Sequence, residues 1–110
     1  GAMWYHFMEM DTGVRYGLNT VTVVNNNASL NQERELNERN YGGPLPGSDE
    51  LWKLTNVDFA AMAEQMGGLG ITVTKPTHFE GALDQALNAG KPAVIDVKTN
   101  IDSIAPKAWD

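Results

Sequence analysis

The amino-acid sequence predicts an α/β fold, a three-layer α/β/α fragment whose parallel sheet has three strands. Helix-like and strand-like segments alternate along the chain, and the first and last strand-like segments are continuous β-branched or apolar runs. Such runs are typical of parallel strands, which are covered by helices on both faces. We therefore expect residues 1–110 to form a single, partial domain in the order helix, strand, loop, helix, strand, helix, strand.

The first predicted helix occupies the start of the chain and ends at Gly17. Its apolar residues recur at helical spacing and form a broad stripe, made of Met3, Trp4, Phe7, Met8, Met10 and Val14. A stripe this broad predicts a well-covered helix. Residues 20–24 are β-branched throughout and predict a buried strand, while the asparagines at 25–27 predict a loop.

The middle of the chain predicts a long connection between two helices. Residues 32–39 are polar and predict a short helix, and residues 40–56 are rich in turn formers. Apolar residues share one helical face over residues 58–66, and residues 71–74 predict a short strand.

The last predicted helix begins at a capping-box pattern, Thr77 followed by Glu80, and ends at Gly90. Residues 93–97 predict the final strand, and the tail that follows, as far as Asp110, is expected to be irregular.

Composition excludes several classes of function. The chain has no cysteine, which rules out disulfides, thiolate metal sites and thiol nucleophiles. A net charge of −6 and scattered basic residues argue against a nucleic-acid partner. Apolar runs are too short to cross a bilayer, and the start of the chain lacks a signal-peptide pattern, so we expect no membrane partner and a cytoplasmic location.

One spacing points to a cofactor. Gly1 is followed by 24 residues and then by Asn26-Asn27. The chain resembles the C-terminal cofactor domain of thiamine-diphosphate-dependent enzymes of the acetolactate synthase and pyruvate decarboxylase type, which carry Gly-Asp-Gly and, at similar spacing, Asn-Asn. Three further segments match that family in order: residues 8–12, 58–64 and 90–97. The resemblance therefore spans essentially the whole chain.

The chemistry of a diphosphate explains why such a motif is needed. Its negative charges are held by backbone N–H groups, as at a helix N-terminus, and by a divalent cation. Glycine permits the close backbone approach, and Mg²⁺ takes oxygen ligands, partly from phosphates.

The resemblance implies thiamine diphosphate and Mg²⁺ as cofactors, and it assigns cofactor-binding roles to Gly1, Ala2, Asn27, Ser29, Leu30 and Asn31. Gly1 takes the place of the last motif glycine, and the amide of Ala2 lies beside the diphosphate. The metal ligands are the side chain of Asn27 and the main-chain carbonyl of Ser29. Leu30 and Asn31 line the diphosphate loop, and Asn25 and Asn26 mainly shape the turn.

The sequence departs from the family where the motif aspartate would directly precede Gly1. The resemblance also implies a pyrimidine-binding domain, N-terminal to this one, that carries the activating glutamate. We therefore expect an inactive fragment, with no catalytic residue of its own, from an enzyme acting on a 2-keto acid. One edge of residues 20–24 should be bare, which predicts a homo-oligomer.

Several alternatives remain open. The parent could be a decarboxylase, oxidase or carboligase, or a non-catalytic module that keeps the fold. A flavodoxin-like or Rossmann domain would need a glycine-rich turn after a first strand, which is absent. The first three residues could be native or left from a vector, and His6 could face the cofactor groove or serve ordinary packing.

Overall fold

A computed structural model describes residues 1–103 of the chain. Within this range the helices and strands alternate as predicted. The helices are α1 (Ala2–His6), α2 (Glu9–Arg15), α3 (Asn31–Tyr41), α4 (Asp49–Trp52), α5 (Phe59–Gln65) and α6 (Phe79–Leu87). The strands are β1 (Val21–Asn26), β2 (Leu69–Val73) and β3 (Ala93–Lys98), and a short 3₁₀ helix (Pro76–His78) leads into α6. The predicted irregular tail lies, from residue 104 onward, outside the described residues.

The three strands form a parallel sheet in the order β1-β3-β2, which confirms the predicted sheet. The central strand pairs with both neighbours, so that Ile95 lies opposite Val23 on one side and Ile71 on the other. The first four residues of β3 are buried. Helices cover both faces of β3 and a strand pairs with each of its edges. This burial explains why residues 93–97 are mostly apolar.

Helices cover both faces of the sheet, which confirms the three-layer architecture. One core packs α2, α5 and the turn before α2 against the sheet, and its buried members are Phe7, Met10, Val24, Phe59, Ala63 and Val94. The opposite core packs α6 against the sheet, and its buried members are Val73, Ala82, Ala86, Ala93 and Ile95. Successive residues of β3 point to opposite faces, so Val94 and Ile95 belong to different cores.

The first predicted helix is divided into α1 and α2, contrary to the expectation of one continuous helix. At the junction the N–H groups of Met10 and Asp11 bond three residues back, to the carbonyls of Phe7 and Met8. Bonds of this kind tighten the turn in the manner of a 3₁₀ helix. Phe7 is buried there with its ring centroid 6.0 Å from that of Phe59. The apolar stripe is only partly covered, because the side chains of Trp4 and Met8 are exposed.

Other boundaries differ from the sequence prediction for local reasons. The strand β1 continues through Asn26, because the side chain of Asn26 is buried and hydrogen-bonded inside the fold. The long connection at residues 40–56 contains α4, whose Trp52 is buried.

The predicted capping box at the start of α6 was wrong, since Thr77 lies inside the 3₁₀ helix and no side chain caps α6. Pro76 starts that 3₁₀ turn earlier than the pattern implied, because its fixed φ suits a first helical position.

Within residues 1–103, no helix combines the length and the hydropathy that crossing a bilayer requires.

Candidate functional site

A groove of about 710 Å³ runs along β1 between the sheet and the first two helices. Four of the six residues expected to bind the cofactor line it, namely Gly1, Ala2, Asn27 and Ser29. The other two, Leu30 and Asn31, are not part of the lining. One end of the groove reaches the loop at the carboxyl end of β1, where parallel α/β folds place their ligand sites.

The two ends of the spaced motif meet at one end of this groove. A Cβ atom built on Gly1 would lie 2.9 Å from Cδ2 of Leu30, so a side chain at position 1 would have to displace that methyl group. Gly1 therefore lets the start of α1 approach the loop that follows β1. Since α1 begins at Ala2, its first backbone N–H groups lack acceptors within the helix. Leu30 thus contributes to the site by packing, although it does not line the groove.

The three consecutive asparagines have three different environments. The side-chain oxygen of Asn25 accepts a hydrogen bond from Oγ1 of Thr99 at 2.6 Å. Asn26 is buried and donates from Nδ2 to the carbonyl of Val57 and to Asp96, each at 2.9 Å. Asn27 is half-buried, and its Oδ1 accepts the N–H of Ser29 at 3.0 Å, which forms an Asx turn.

Residues 27–29, called here the asparagine loop, are held in a strained and pinned conformation. Ala28 has a φ of 52°, in the left-handed region that residues with a Cβ rarely adopt. On either side of Ser29 the backbone bonds to the segment around Lys53: Leu54 donates to the Ala28 carbonyl at 2.7 Å, and Leu30 donates to that of Trp52 at 2.9 Å. These hydrogen bonds hold the backbone of the loop, and with it the side chain of Asn27 and the backbone of Ser29, in a fixed position.

The hydroxyl of Ser29 supports a polar ligand in the groove. Its Oγ is buried and has no hydrogen-bond partner in the part of the chain that the structure describes, and the residue lines the groove. A buried hydroxyl without a partner costs free energy. A phosphate oxygen, which accepts hydrogen bonds, would satisfy this group.

The loop offers neutral oxygen donors rather than a cluster of charged metal ligands. Over residues 1–103, no group of three or more His, Cys, Asp or Glu side chains is placed to hold a metal ion. The amide oxygen of Asn27 and the carbonyl of Ser29 are donors of the hard type that Mg²⁺ prefers. Because both are neutral, they fit a cation that takes its anionic ligands from elsewhere, such as the oxygens of a bound diphosphate.

A buried charged residue that the sequence patterns did not single out lies behind the asparagine loop. Asp96 is 0% exposed and accepts hydrogen bonds from Asn26 Nδ2 at 2.9 Å, from the N–H of Phe59 at 3.0 Å and from Lys98 Nζ at 2.7 Å. The expectation that Asn26 mainly shapes the turn was incomplete, since it also joins this buried network. The available signal was a lone aspartate inside an apolar strand, because buried carboxylates require partners.

The two histidines lie in different parts of the fold. His6 is exposed and lines the groove together with Gly1, Ala2, Asn27 and Ser29. His78 ends the 3₁₀ helix before α6 and is exposed.

Sequence comparisons show which proteins the chain is similar to. Residues 1–97 match the family described as "Thiamine pyrophosphate enzyme, C-terminal TPP binding domain". The putative thiamine pyrophosphate-containing protein YdaP of Bacillus subtilis is 37% identical over 90 residues, or 81% of this chain and 15% of the relative. The acetolactate synthase large subunit IlvG of Mycobacterium tuberculosis is 34% identical over 107 residues, or 97% of this chain and 19% of the relative. A 2-hydroxyacyl-CoA lyase of Arabidopsis thaliana is 31% identical over 101 residues, or 82% of this chain and 16% of the relative. The chain thus spans only 15% to 19% of the length of these relatives.

Proposed function

Because this chain belongs to the thiamine pyrophosphate enzyme family, as its C-terminal TPP-binding domain, we propose that it holds thiamine diphosphate and Mg²⁺ in a larger enzyme that acts on 2-keto acids. The observation that carries the proposal is the groove, where Gly1 and Ala2 line the same cavity as Asn27 and Ser29. These four residues come from two distant parts of the sequence, and the match extends over both.

The division of labour among these residues follows from their chemistry. The backbone N–H groups at the start of α1 and the hydroxyl of Ser29 are donors for diphosphate oxygens. The amide oxygen of Asn27 and the carbonyl oxygen of Ser29 are ligands for the cation. When bound, thiamine diphosphate supplies the carbanion-stabilising chemistry that 2-keto acids need. The chain's own residues bind and orient the cofactor, and we assign no catalytic residue to them.

We further propose that the parent enzyme resembles acetolactate synthase and is cytoplasmic. Two relatives named as acetolactate synthases align over 97% of this chain and support the first part. In this proposal residues 1–110 form one partial domain, and a separate pyrimidine-binding domain of the parent completes the site. The isolated chain is then inactive, because it supplies only one side of the cofactor site.

The edge strand β1 supports self-association of the chain. The strand β1 lies at one edge, and among residues 1–103 it pairs only with β3. It is uncharged and free of proline, and Val23 at its centre is 48% exposed. Edges of this kind pair readily with another chain. We propose that the chain forms a homo-oligomer through β1.

Calorimetric titration of the natural full-length protein tests the cofactor proposal. We expect thiamine diphosphate to bind when Mg²⁺ is present and to bind far more weakly when a chelator removes Mg²⁺. The loop oxygens are neutral and cannot attract the diphosphate directly, so the cation must link the two. Thiamine, which lacks the diphosphate, is the matched control and should not show this dependence on Mg²⁺. Failure of thiamine diphosphate to bind, or binding that is equally tight without Mg²⁺, would contradict the proposal.

A further inference from the structure

A buried carboxylate on the central strand is linked directly to the asparagine loop. Oδ1 of Asp96 accepts the Nδ2 group of Asn26 at 2.9 Å, across a separation of 70 residues in the sequence. The other end of the same amide turns toward the loop, where Oδ1 of Asn26 accepts the N–H of Ala28 at 3.2 Å. One side chain therefore connects the core of the sheet to the residue with the left-handed backbone.

The chemistry of this link requires an amide at position 26. Asn26 donates to Asp96 and to the carbonyl of Val57, and it accepts from the backbone of Ala28. Only an amide side chain offers donors and an acceptor in this arrangement. A carboxylate at position 26 would face Asp96 with a second acceptor, and an aliphatic side chain would leave the buried carboxylate short of a donor.

The other partners of Asp96 keep the carboxylate in place and balance its charge. Its Oδ2 accepts the backbone N–H of Phe59, the first residue of α5, at 3.0 Å. It also accepts Nζ of Lys98 at 2.7 Å, and that ammonium group donates to the carbonyl of Val57 at 3.1 Å. Three elements of the fold, β1, β3 and α5, thus meet at one carboxylate, so its position is fixed independently of any ligand.

We propose that Asp96 is a positioning residue, which acts through Asn26 to hold residues 27–29 in the conformation that receives the cation and the diphosphate. The inference rests on the proposed function of the groove and adds the residues that prepare it. A loop already held in its binding conformation loses less entropy when the ligand arrives, which strengthens binding. Hydrogen-bond partners behind the ligating groups typically change metal affinity about 10- to 100-fold when they are removed.

Backbone hydrogen exchange in the natural full-length protein without cofactor tests preorganisation directly. The N–H groups of Ala28 and Ser29 should exchange slowly, because each donates to an asparagine side chain. Exchange of both at the rate of an unstructured peptide would overturn the proposal. This measurement needs no variant, and it tests the positioning role even if thiamine diphosphate proves not to be the ligand.

Substitution then tests the chain of contacts. Asp96→Asn keeps the shape of the side chain but brings two amide donors face to face at Asn26. We expect it to speed exchange at Ala28 and to raise the Kd for thiamine diphosphate with Mg²⁺ about 10- to 100-fold.

A core substitution on the opposite face of the sheet provides the control for fold stability. Ile95→Val removes one buried methylene from the strand that carries Asp96, and it lowers stability without touching the loop. It should lower the melting temperature and leave the Kd and the exchange at Ala28 unchanged. If Ile95→Val raises the Kd as much as Asp96→Asn does, or if Asp96→Asn leaves the exchange at Ala28 unchanged, the positioning role is refuted.

Discussion

Gly70 on β2 lies directly against the backbone of Ala60 on α5. A Cβ atom built on Gly70 would stand 2.0 Å from the carbonyl oxygen of Ala60, well inside the contact distance of any two atoms. Because backbone cannot move aside as a flexible side chain can, only glycine lets α5 approach the sheet this closely. The helix held by this contact carries Phe59 and Ala63, two buried members of the core on that face of the sheet.

The first prediction concerns this contact. Gly70→Ala should lower the free energy of unfolding by about 1–3 kcal/mol, because the added methyl group overpacks the interface between helix and sheet. Urea denaturation followed by circular dichroism measures the change. Gly81 in α6 is the matched control, since a Cβ there meets nothing within 4 Å. Gly81→Ala should be neutral or stabilise the protein by up to about 1 kcal/mol. Equal effects of the two substitutions would refute the packing argument.

The second prediction concerns the edge of the sheet. Thr22 on β1 and Thr72 on β2 are both exposed threonines on edge strands of the same sheet. If the chain associates through β1, Thr22→Lys should weaken the assembly, because a charge on an edge strand opposes pairing with another chain. Thr72→Lys should have little effect. Light scattering across a dilution series of the isolated chain gives the oligomeric state of each variant.

The edge prediction has a clear contrary result. A folded and stable monomer of the unsubstituted chain at tens of micromolar would show that β1 does not drive association. Equal weakening by the lysines at positions 22 and 72 would place the interface elsewhere.

The third prediction concerns the isolated chain of 110 residues. Its Kd for thiamine diphosphate with Mg²⁺ should lie well above the micromolar range, because Asn27 and Ser29 are neutral donors. Calorimetric titration measures the affinity, and a micromolar Kd would show that the chain needs no partner domain to bind the cofactor.

Sequence patterns predicted the architecture because the strongest signals were local. The β-branched run at residues 20–24 and the apolar run at residues 93–97 are strands of one parallel sheet, as expected. The division between α1 and α2 was not predictable from spacing, since it accompanies the packing of Phe7 against Phe59, a contact between distant parts of the chain.

The candidate site was predicted in part, from a resemblance to a family and not from local sequence patterns. Resemblance to a family pointed to six residues. The structure brings Gly1, Ala2, Asn27 and Ser29 to one groove, and Leu30 and Asn31 are not in its lining. The bond between Asn26 and Asp96 was missed, because it depends on the register of β1 against β3. No local pattern encodes that register.

We propose that Asn27, and not a neighbouring asparagine, contributes a side chain to the cation and diphosphate site. Asn27→Ala and Asn25→Ala in the natural full-length protein form a matched pair, since both residues line the groove but the amide oxygen of Asn25 is bonded to Thr99. Calorimetric titration with thiamine diphosphate and Mg²⁺ measures the effect of each substitution. We expect Asn27→Ala to raise the Kd about 10- to 100-fold, as the loss of a cation ligand would. Asn25→Ala should change it by no more than about threefold, as an exposed substitution does. Equal effects of the two substitutions would contradict the assignment of the site.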